Sequence, residues 1–309
     1  MSKLIRFRCF GGKDVIAAED LDVSQPDAGE VLVAVHAGSV NPVDFKIRSG
    51  KYPAVKNDRL PYTPSRDISG VVEKCGAQAT RFKVGDKVFG MVGIHGGGHA
   101  AKVPVDQHAL AAKPAEFDHN LASSVPLAGQ TVWQGLFRHG RLEAGQSVLI
   151  HGGSGGVGHF AVQFAKAKGA RVLTTVSTSN VQFARDLGAD VVIDYKKQRF
   201  EDHASDLDMV FDLINGETRE RSWTLLKKGG VLVSTLSDPS REKASQLGVR
   251  ALRYTVEADG KELAEIASLV ASGRVTPHVA KNFPLDQAAD AMGCVEEGHS
   301  VGKTVLKVA

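Results

Sequence analysis

The chain has 309 residues, of which 42% are hydrophobic and 24% are charged, as is ordinary for a soluble globular protein. A formal net charge of +3, without a long run of like charges, argues against a nucleic-acid partner. The sequence has no stretch of 18 apolar residues, no signal-peptide core and no CxxC pair, so we expect a cytoplasmic protein with neither a membrane segment nor a disulfide framework.

Short apolar segments alternate with turns over about the first 120 residues. Strands this short and this closely spaced predict a compact β-rich domain, a partly open barrel. The predicted strands cover residues 31–37, 68–74, 84–90, 100–103 and 109–114, and helices are predicted at 121–124 and 129–138.

The pattern then changes to alternating strands and helices, which predicts a doubly wound parallel sheet with helices on both faces. The predicted strands are 147–150, 172–176, 191–195, 209–214, 229–235 and 248–254. Helices are predicted at 157–168, at 181–187 with Asn180 as the cap, and at 261–272.

A last strand at 304–308 is predicted to return to the first domain after a hinge at 273–277. The parallel-sheet domain is therefore expected to be an insertion. This gives a first domain at 1–122, an inserted domain at 123–272 and a returning segment at 273–309.

A glycine-rich turn, His151–Gly158, joins the first strand of the parallel sheet to its helix. Glycines let the backbone approach a pyrophosphate, and the free N–H groups at the helix start attract its negative charge. The strand before the turn, the helix after it and a second strand about 20 residues on complete the dinucleotide-binding context. The alternative is a purely structural glycine turn.

The end of the second strand indicates which dinucleotide binds. An NAD site normally places an acid there to hold the ribose 2′-hydroxyl, but this chain has Ser177–Asn180. Hydroxyl and amide groups can donate to a 2′-phosphate, and Tyr195 is placed to join them, with Lys196, Lys197 or Arg199 adding charge. We therefore expect NADPH. The alternative for Ser179 and Asn180 is plain helix capping.

Several motifs in a fixed order carry a family resemblance over essentially the whole chain. They are Asn41–Asp44, Pro64–Gly70, Gly85–Val88, Pro126–Gln134, the glycine turn and Gly302–Leu306. The chain resembles the zinc-free quinone oxidoreductase branch of the medium-chain dehydrogenase/reductase superfamily, the branch that includes zeta-crystallin. The resemblance implies an α/β protein with a Rossmann-type sheet inserted in a β-rich GroES-like catalytic domain.

Zinc-dependent alcohol dehydrogenases of this superfamily carry a Cys within the segment matching Asn41–Asp44 and a Gly-His-Glu motif at Ser65–Asp67. Neither ligand set is present, so we expect no catalytic zinc. His95 and His99 lie on a glycine loop without a third ligand in view. Without a Lewis acid, the expected reaction is hydride transfer from NADPH to a conjugated acceptor such as a quinone, enone, alkenal or enoyl thioester.

The resemblance also implies a set of cofactor-binding residues. Ser154, Gly155, Gly156 and Val157 are implied at the pyrophosphate, and Ser177, Asn180 and Tyr195 at the 2′-phosphate. Thr131 is implied at the nicotinamide amide, Leu213 and Thr235 at the ends of the fourth and fifth strands, and Lys303 on the returning tail.

Asn41 and Tyr52 are the polar candidates on the substrate side. Tyr52 resembles the position where related enoyl-thioester reductases keep a proton-donating Tyr, and its alternative role is packing in the pocket wall. Asn41 has the alternative of a turn residue before Pro42. We read Arg66 and Asp67 as a structural pair.

Two other functions stay open beside a quinone or enone reductase. One is a strict enoyl-thioester or alkenal reductase, and the other is a non-catalytic NADPH-binding protein with a structural or regulatory role. The resemblance implies a homodimer formed through an edge strand of the nucleotide domain.

Overall fold

A computed structural model describes residues 2–298 and 300–309. In that part of the chain the strands are β1 Ser2–Phe7, β2 Ile16–Leu21, β3 Glu30–Val40, β4 Asp67–Cys75, β5 Lys87–Met91, β6 Lys102–Asp106, β7 Leu110–Ala112, β8 Ser147–His151, β9 Arg171–Val176, β10 Val191–Asp194, β11 Leu207–Asp212, β12 Leu226–Ser234, β13 Arg250–Arg253, β14 Val279–Pro284 and β15 Lys303–Lys307. The helices are α1 Pro42–Arg48, α2 His119–Ser124, α3 Pro126–Trp133, α4 Gly158–Lys168, α5 Val181–Asp186, α6 Gly216–Ser222, α7 Arg241–Leu247, α8 Gly260–Ala271 and α9 Ala288–Glu296. No described helix is both long enough and apolar enough to cross a membrane.

The chain divides into two compact units. The first contains Met1–Leu127, Ala258–Ala271 and Pro277–Ala309, and the second contains Ala128–Glu257 and Ser272–Thr276. Residues 258–271, which the sequence analysis assigns to the inserted domain, therefore group with the first unit. The physical reason is that α8 packs closely on β7. A Cβ atom on Gly260 would lie only 2.1 Å from the Leu110 carbonyl oxygen.

The first unit is built on a mixed sheet in the order β14-β15-β3-β4-β5-β7, with β6 also paired to β3. The strand β15 runs antiparallel to β3, with Thr304 opposite Val40 and Leu306 opposite Gly38. The chain's end is thereby incorporated beside an early strand, as the sequence analysis predicts. Buried apolar residues of β3, β4 and β5 pack together and form its core.

The second unit contains a parallel sheet in the order β10-β9-β8-β11-β12-β13. This confirms the predicted doubly wound α/β fold. The chain moves outward from β8 to β10 on one side and from β11 to β13 on the other. The order therefore reverses between β8 and β11, and ligands of such sheets bind at the carboxyl ends of the strands beside that reversal. Buried side chains of the central strands, Leu149, Leu173, Val210 and Leu232 among them, form the core.

The predicted helix at 129–138 has a different form in the structure. An α-helix ends at Trp133, and a π-helix over Gln134–His139 continues it. Widened turns of this kind are uncommon and carry no simple sequence signal.

Candidate functional site

The glycine turn lies at the carboxyl end of β8, beside the reversal of the sheet. Gly152 has φ +75°, a conformation that side chains other than glycine rarely adopt. A Cβ atom on Gly153 would lie 2.0 Å from Thr174 Oγ1, and one on Gly158 would lie 2.1 Å from the Gly152 carbonyl oxygen. By contrast, a Cβ atom on Gly155 would meet nothing closer than 3.5 Å. Backbone conformation or close contacts within the protein therefore require glycine at 152, 153 and 158, whereas the space above Gly155 is open.

The backbone amides of the turn divide into bonded and free groups. The N–H groups of Gly152 and Gly153 donate to the Thr175 carbonyl, at 3.1 and 3.2 Å. The N–H groups of Gly156 and Val157 have no hydrogen-bond partner among the described residues. They precede α4 directly, where unpaired donors and the helix dipole favour an anion. The open space and the free donors fit a pyrophosphate.

Asn180 connects the turn to the end of β9. Its Nδ2 donates to Ser154 Oγ at 3.0 Å, while it makes no side-chain hydrogen bond as the cap of α5. Asn180 is the N-cap residue of α5, as predicted, but its side chain does not bond the helix, because its Oδ1 instead accepts from Ser179 Oγ at 3.3 Å. Ser177 Oγ lies 3.2 Å from Ser179 Oγ. Residues predicted for the pyrophosphate and for the 2′-phosphate thus adjoin one another.

Asp194, at the end of β10, is an acid beside this region that the sequence analysis missed. Its carboxylate accepts hydrogen bonds from Thr178 Oγ1 at 2.7 Å and from the Lys196 N–H at 3.1 Å, and the residue is buried. Its charge therefore faces inward to these donors. Tyr195 is 56% exposed, and the side chains of Lys196 and Lys197 are exposed next to it. The outer surface at this edge is hydroxylic and basic.

The loops after β11 and β12 are joined through Asp212. The buried carboxylate of Asp212 accepts hydrogen bonds from the Asn215 N–H at 2.7 Å and from Ser234 Oγ at 2.9 Å. The predicted residues Leu213 and Thr235 each follow one of these anchoring positions and are half-buried. Both lie at the same strand edge as the glycine turn, as the sequence analysis expects.

Thr131 lies within α3 and is mostly buried. Its carbonyl oxygen accepts a hydrogen bond from the Tyr254 hydroxyl, which follows β13. This bond fixes α3 against the edge of the parallel sheet in the second unit.

In the first unit, Asn41, Asp67 and Lys303 form a buried polar cluster. Lys303 Nζ donates to Asn41 Oδ1 at 2.5 Å and lies 3.5 Å from Asp67 Oδ2. Asn41 Nδ2 donates to the same Asp67 oxygen at 2.7 Å. Burial lowers the pKa of Lys303, while the nearby carboxylates of Asp67 and Asp44 oppose that shift. The amide of Asn41 is thus held at both ends.

The expected pairing of Arg66 with Asp67 is not what the structure shows. Asp67 pairs with Lys303, whereas Arg66 Nε donates to the Val92 carbonyl at 3.3 Å. Lys303 comes from the far end of the sequence. Adjacent opposite charges such as Arg66 and Asp67 therefore could not predict this contact.

Asp44 is a second buried acid that the sequence analysis missed. Burial raises its pKa to about 7, although the N–H groups of Asn41 and Ser65 donate to it at 2.7 and 2.9 Å and oppose the rise. The carboxylate joins the start of α1 to the segment before β4.

Tyr52 is partly buried and packs against an apolar cluster that includes Phe7, Ile47 and Val55. Its hydroxyl has no hydrogen-bond partner among the described residues. The neighbouring Tyr62 is different, because its buried hydroxyl donates to the Ile94 carbonyl at 3.0 Å. The Tyr52 hydroxyl is the free phenol of this cluster.

The two histidines of the glycine loop have separate surroundings. His95 Nδ1 lies 3.0 Å from Arg59 Nη1, and His99 is completely buried, which lowers its pKa to about 3. In the described residues, no group of three or more His, Cys, Asp or Glu side chains is arranged to hold a metal ion.

Comparisons with known families match two parts of the chain. Residues 27–115 match the alcohol dehydrogenase GroES-like domain, and residues 187–306 match a family described as zinc-binding dehydrogenase.

The chain is also similar to individual proteins over nearly its whole length. The chain is 35% identical to the chloroplastic NADPH-dependent alkenal/one oxidoreductase of Arabidopsis thaliana, over 96% of this chain and 77% of that protein. The quinone oxidoreductase of Coxiella burnetii has a TM-score of 0.94 and 33% identity, covering 100% of this chain and 99% of that one. The Escherichia coli quinone oxidoreductase complexed with NADPH has a TM-score of 0.89 and 27% identity, covering 99% and 100%.

Proposed function

The chain belongs to the quinone oxidoreductase branch of the medium-chain dehydrogenase/reductase superfamily, and on this premise we propose that it reduces quinones or other conjugated carbonyl acceptors with NADPH. The observation that carries the proposal is the glycine turn, with open space above Gly155 and free amides at Gly156 and Val157. NADPH, when bound, supplies the hydride.

The second unit binds and orients the cofactor in this proposal. Gly156 and Val157 donate their N–H groups to the pyrophosphate, and the open face of Gly155 admits it. Ser154 Oγ joins them, held in place by the amide of Asn180.

The edge after β9 and β10 selects the phosphorylated cofactor. Ser177, Asn180 and Tyr195 donate to the 2′-phosphate, and the exposed ammonium groups of Lys196 and Lys197 attract its charge. Repulsion from Asp194 is reduced because the Lys197 ammonium lies 3.9 Å from its carboxylate, which also accepts from Thr178 Oγ1 and the Lys196 N–H. The expected result is a lower KM for NADPH than for NADH; equal values would remove these roles.

The remaining cofactor contacts are proposed at Leu213 and Thr235 after β11 and β12, and at Thr131 for the nicotinamide amide. The Asp212 carboxylate supports the first two by joining their loops. Lys303 is proposed as a cofactor contact by resemblance, although its side chain is only 3% exposed and its ammonium donates to Asn41 Oδ1.

On the acceptor side, we propose roles for Asn41 and Tyr52. Hydride addition to a conjugated alkene leaves an enolate, whose carbon takes a proton from the Tyr52 hydroxyl, and the phenolate recovers that proton from water. A quinone instead becomes a hydroquinone anion, which water can protonate. The bonds from Lys303 and to Asp67 fix the Asn41 amide for orienting the acceptor.

A strict alkenal or enoyl-thioester reductase is the second candidate function. It is favoured by the similarity to the alkenal/one oxidoreductase and by the free phenol of Tyr52. A screen of NADPH oxidation across quinones, enones, alkenals and an enoyl thioester tests both candidates. Turnover of quinones and enones supports the main proposal, and turnover restricted to alkenals or thioesters supports the second. Tight NADPH binding without turnover of any acceptor favours the non-catalytic alternative.

The compartment and the assembly state are further proposals. Cys9, Cys75 and Cys294 are free thiols, which supports a reducing compartment such as the cytoplasm. A homodimer is proposed from the family resemblance. Light scattering during size-exclusion chromatography tests the dimer, and cell fractionation tests the compartment.

A further inference from the structure

His151, the last residue of β8, lies directly before the glycine turn and is completely buried. Its Nδ1 lies 3.1 Å from Thr175 Oγ1 on β9, and its Nε2 lies 2.9 Å from Ser222 Oγ at the end of α6. The ring also packs edge-on against Phe200. The imidazole therefore joins three elements of the second unit behind the turn.

The hydroxyl of Ser222 determines which ring nitrogen carries the proton. Ser222 Oγ donates its single hydrogen to the Thr218 carbonyl of its own helix, at 2.7 Å. It can only accept at its contact with His151, so the proton of the neutral ring must lie on Nε2.

The position of the proton also determines the hydrogen bond on the other side of the ring. With the proton on Nε2, the Nδ1 of His151 can only accept, so Thr175 Oγ1 donates to it. The lone pairs of Thr175 Oγ1 are then turned toward the Gly152 N–H, which lies 3.3 Å away. The Thr175 carbonyl accepts from Gly152 and Gly153 as well. Thr175 therefore anchors the start of the glycine turn through both of its oxygens.

The charged groups around His151 leave the ring neutral at neutral pH. Burial lowers its pKa to about 4; Asp212 and Glu201 oppose that shift, and Arg221 adds to it. Since Arg221 and Glu201 form an ion pair at 2.7 Å, much of their effect on the ring cancels. One ring proton and one ring lone pair are thus available, as the assignment requires.

We propose that His151 is a positioning residue for the glycine turn: Ser222 fixes its Nε2–H tautomer, which orients the Thr175 hydroxyl so that its oxygen holds the Gly152 amide. The inference rests on the proposed function, because the turn is taken to bind the pyrophosphate of NADPH. Gly152 transmits the effect, since its carbonyl accepts from the Gly155 N–H at 3.1 Å. A rotated Gly152 peptide moves the backbone that precedes the free amides of Gly156 and Val157.

Imidazole ¹⁵N NMR of the full chain tests the proton assignment without any ligand. The expected spectrum of His151 shows a protonated Nε2 and an unprotonated Nδ1 at neutral pH. In Ser222→Ala the Nε2–H loses its acceptor, and we expect a mixture of both tautomers. A protonated Nδ1 in the unchanged protein overturns the proposal, as does an unaltered tautomer in Ser222→Ala.

Paired substitutions at Thr175 test the connection to the turn. Thr175→Val removes the hydroxyl, and we expect NADPH to bind about three- to tenfold more weakly and the Gly152 amide to exchange its hydrogen faster. Thr175→Ser retains the hydroxyl and should restore both values. Thr224→Val is the matched control, because the Thr224 hydroxyl is exposed and makes a long hydrogen bond, of 3.5 Å, to the Arg221 carbonyl. Equal behaviour of the Val and Ser variants at position 175 overturns the proposal.

The two proposals fail in different ways. If the unchanged protein binds no NADPH, the proposed function fails, while the tautomer of His151 and the exchange rate of the Gly152 amide still decide the role of His151. If NADPH binds tightly and these two readouts contradict the assignment, only the role of His151 fails.

Discussion

At the scale of single residues, the glycines of the turn are required for different reasons. Gly153 and Gly158 are in close contact with the protein itself, with Thr174 and the Gly152 carbonyl respectively. Gly155 has open space where a side chain would be. A methyl group at Gly155 therefore makes only an ordinary contact with the protein, 3.5 Å from the Gly152 carbonyl oxygen, whereas a methyl group at Gly158 collides with the backbone.

Gly155→Ala should therefore separate cofactor binding from folding. We expect NADPH affinity to fall about tenfold or more, because the methyl group occupies the approach of the pyrophosphate, while the unfolding free energy changes by less than about 1 kcal/mol. Gly158→Ala is the control and should lower the unfolding free energy by more than about 2 kcal/mol. Fluorescence titration and urea unfolding measure the two quantities. Unchanged NADPH affinity in Gly155→Ala contradicts the pyrophosphate site.

Two tyrosines of the first unit provide a matched pair for the acceptor chemistry. Tyr52→Phe should lower kcat for an enone about tenfold or more and change kcat for a quinone much less, because only the enolate needs a carbon-bound proton. Tyr62→Phe removes a hydroxyl that bonds the Ile94 carbonyl. It should reduce stability by about 1 kcal/mol without altering the ratio of the two activities. Equal losses with both acceptors in Tyr52→Phe remove the proton-donor role.

At the scale of elements, the final strand β15 is attached to the first unit by more than its backbone ladder. Lys303 begins this strand and its ammonium is buried against Asn41 and Asp67, which belong to segments at the start of the chain. A buried ion pair is sensitive to removal of one partner, because the other charge stays in a poorly solvating environment.

Lys303→Met should lower the unfolding free energy of the first unit by about 3 kcal/mol or more, because it leaves the Asp67 carboxylate without its cation. Lys307→Met changes an exposed lysine of the same strand and should stay within about 0.5 kcal/mol of the unchanged protein. Both tryptophans, Trp133 and Trp223, lie in the second unit, so tryptophan fluorescence would not report directly on the first. Unfolding is therefore followed by circular dichroism. A similar small effect of both substitutions contradicts the structural role of Lys303.

The elements also show which features the sequence could predict. The strands of the parallel sheet and the helix after the glycine turn follow from local apolar periodicity, and the structure confirms them. The contact between Lys303 and Asp67 joins positions far apart in the sequence, so no local sequence pattern predicts it. Asn180 occupies the predicted N-cap position of α5, but its side chain donates to Ser154 on another loop rather than bonding the helix. The tertiary contacts of these two side chains therefore determine roles that the local sequence does not.

At the scale of the whole molecule, three histidines that are buried or half-buried, His99, His119 and His151, make stability depend on pH. Burial lowers the pKa of His99 to about 3 and, with other causes, the pKa values of His119 and His151 to about 4. In the unfolded chain all three titrate near 6.5. Asp44 has the opposite effect, because its folded pKa is raised to about 7 and the folded state retains a proton that the unfolded chain releases.

Below pH 6.5 and above pH 4 the unfolded chain binds three histidine protons that the folded chain excludes, against one Asp44 proton that only the folded chain keeps. The unfolding free energy should therefore fall on acidification through this window, by about 1.4 kcal/mol per pH unit for each net proton. Urea unfolding across the window measures the slope. His99→Phe should flatten it, because one of the three excluded protons is lost, whereas His203→Phe, at an exposed histidine, should leave it unchanged. Stability that rises on acidification, or an identical slope in His99→Phe, contradicts the burial of these rings as the cause.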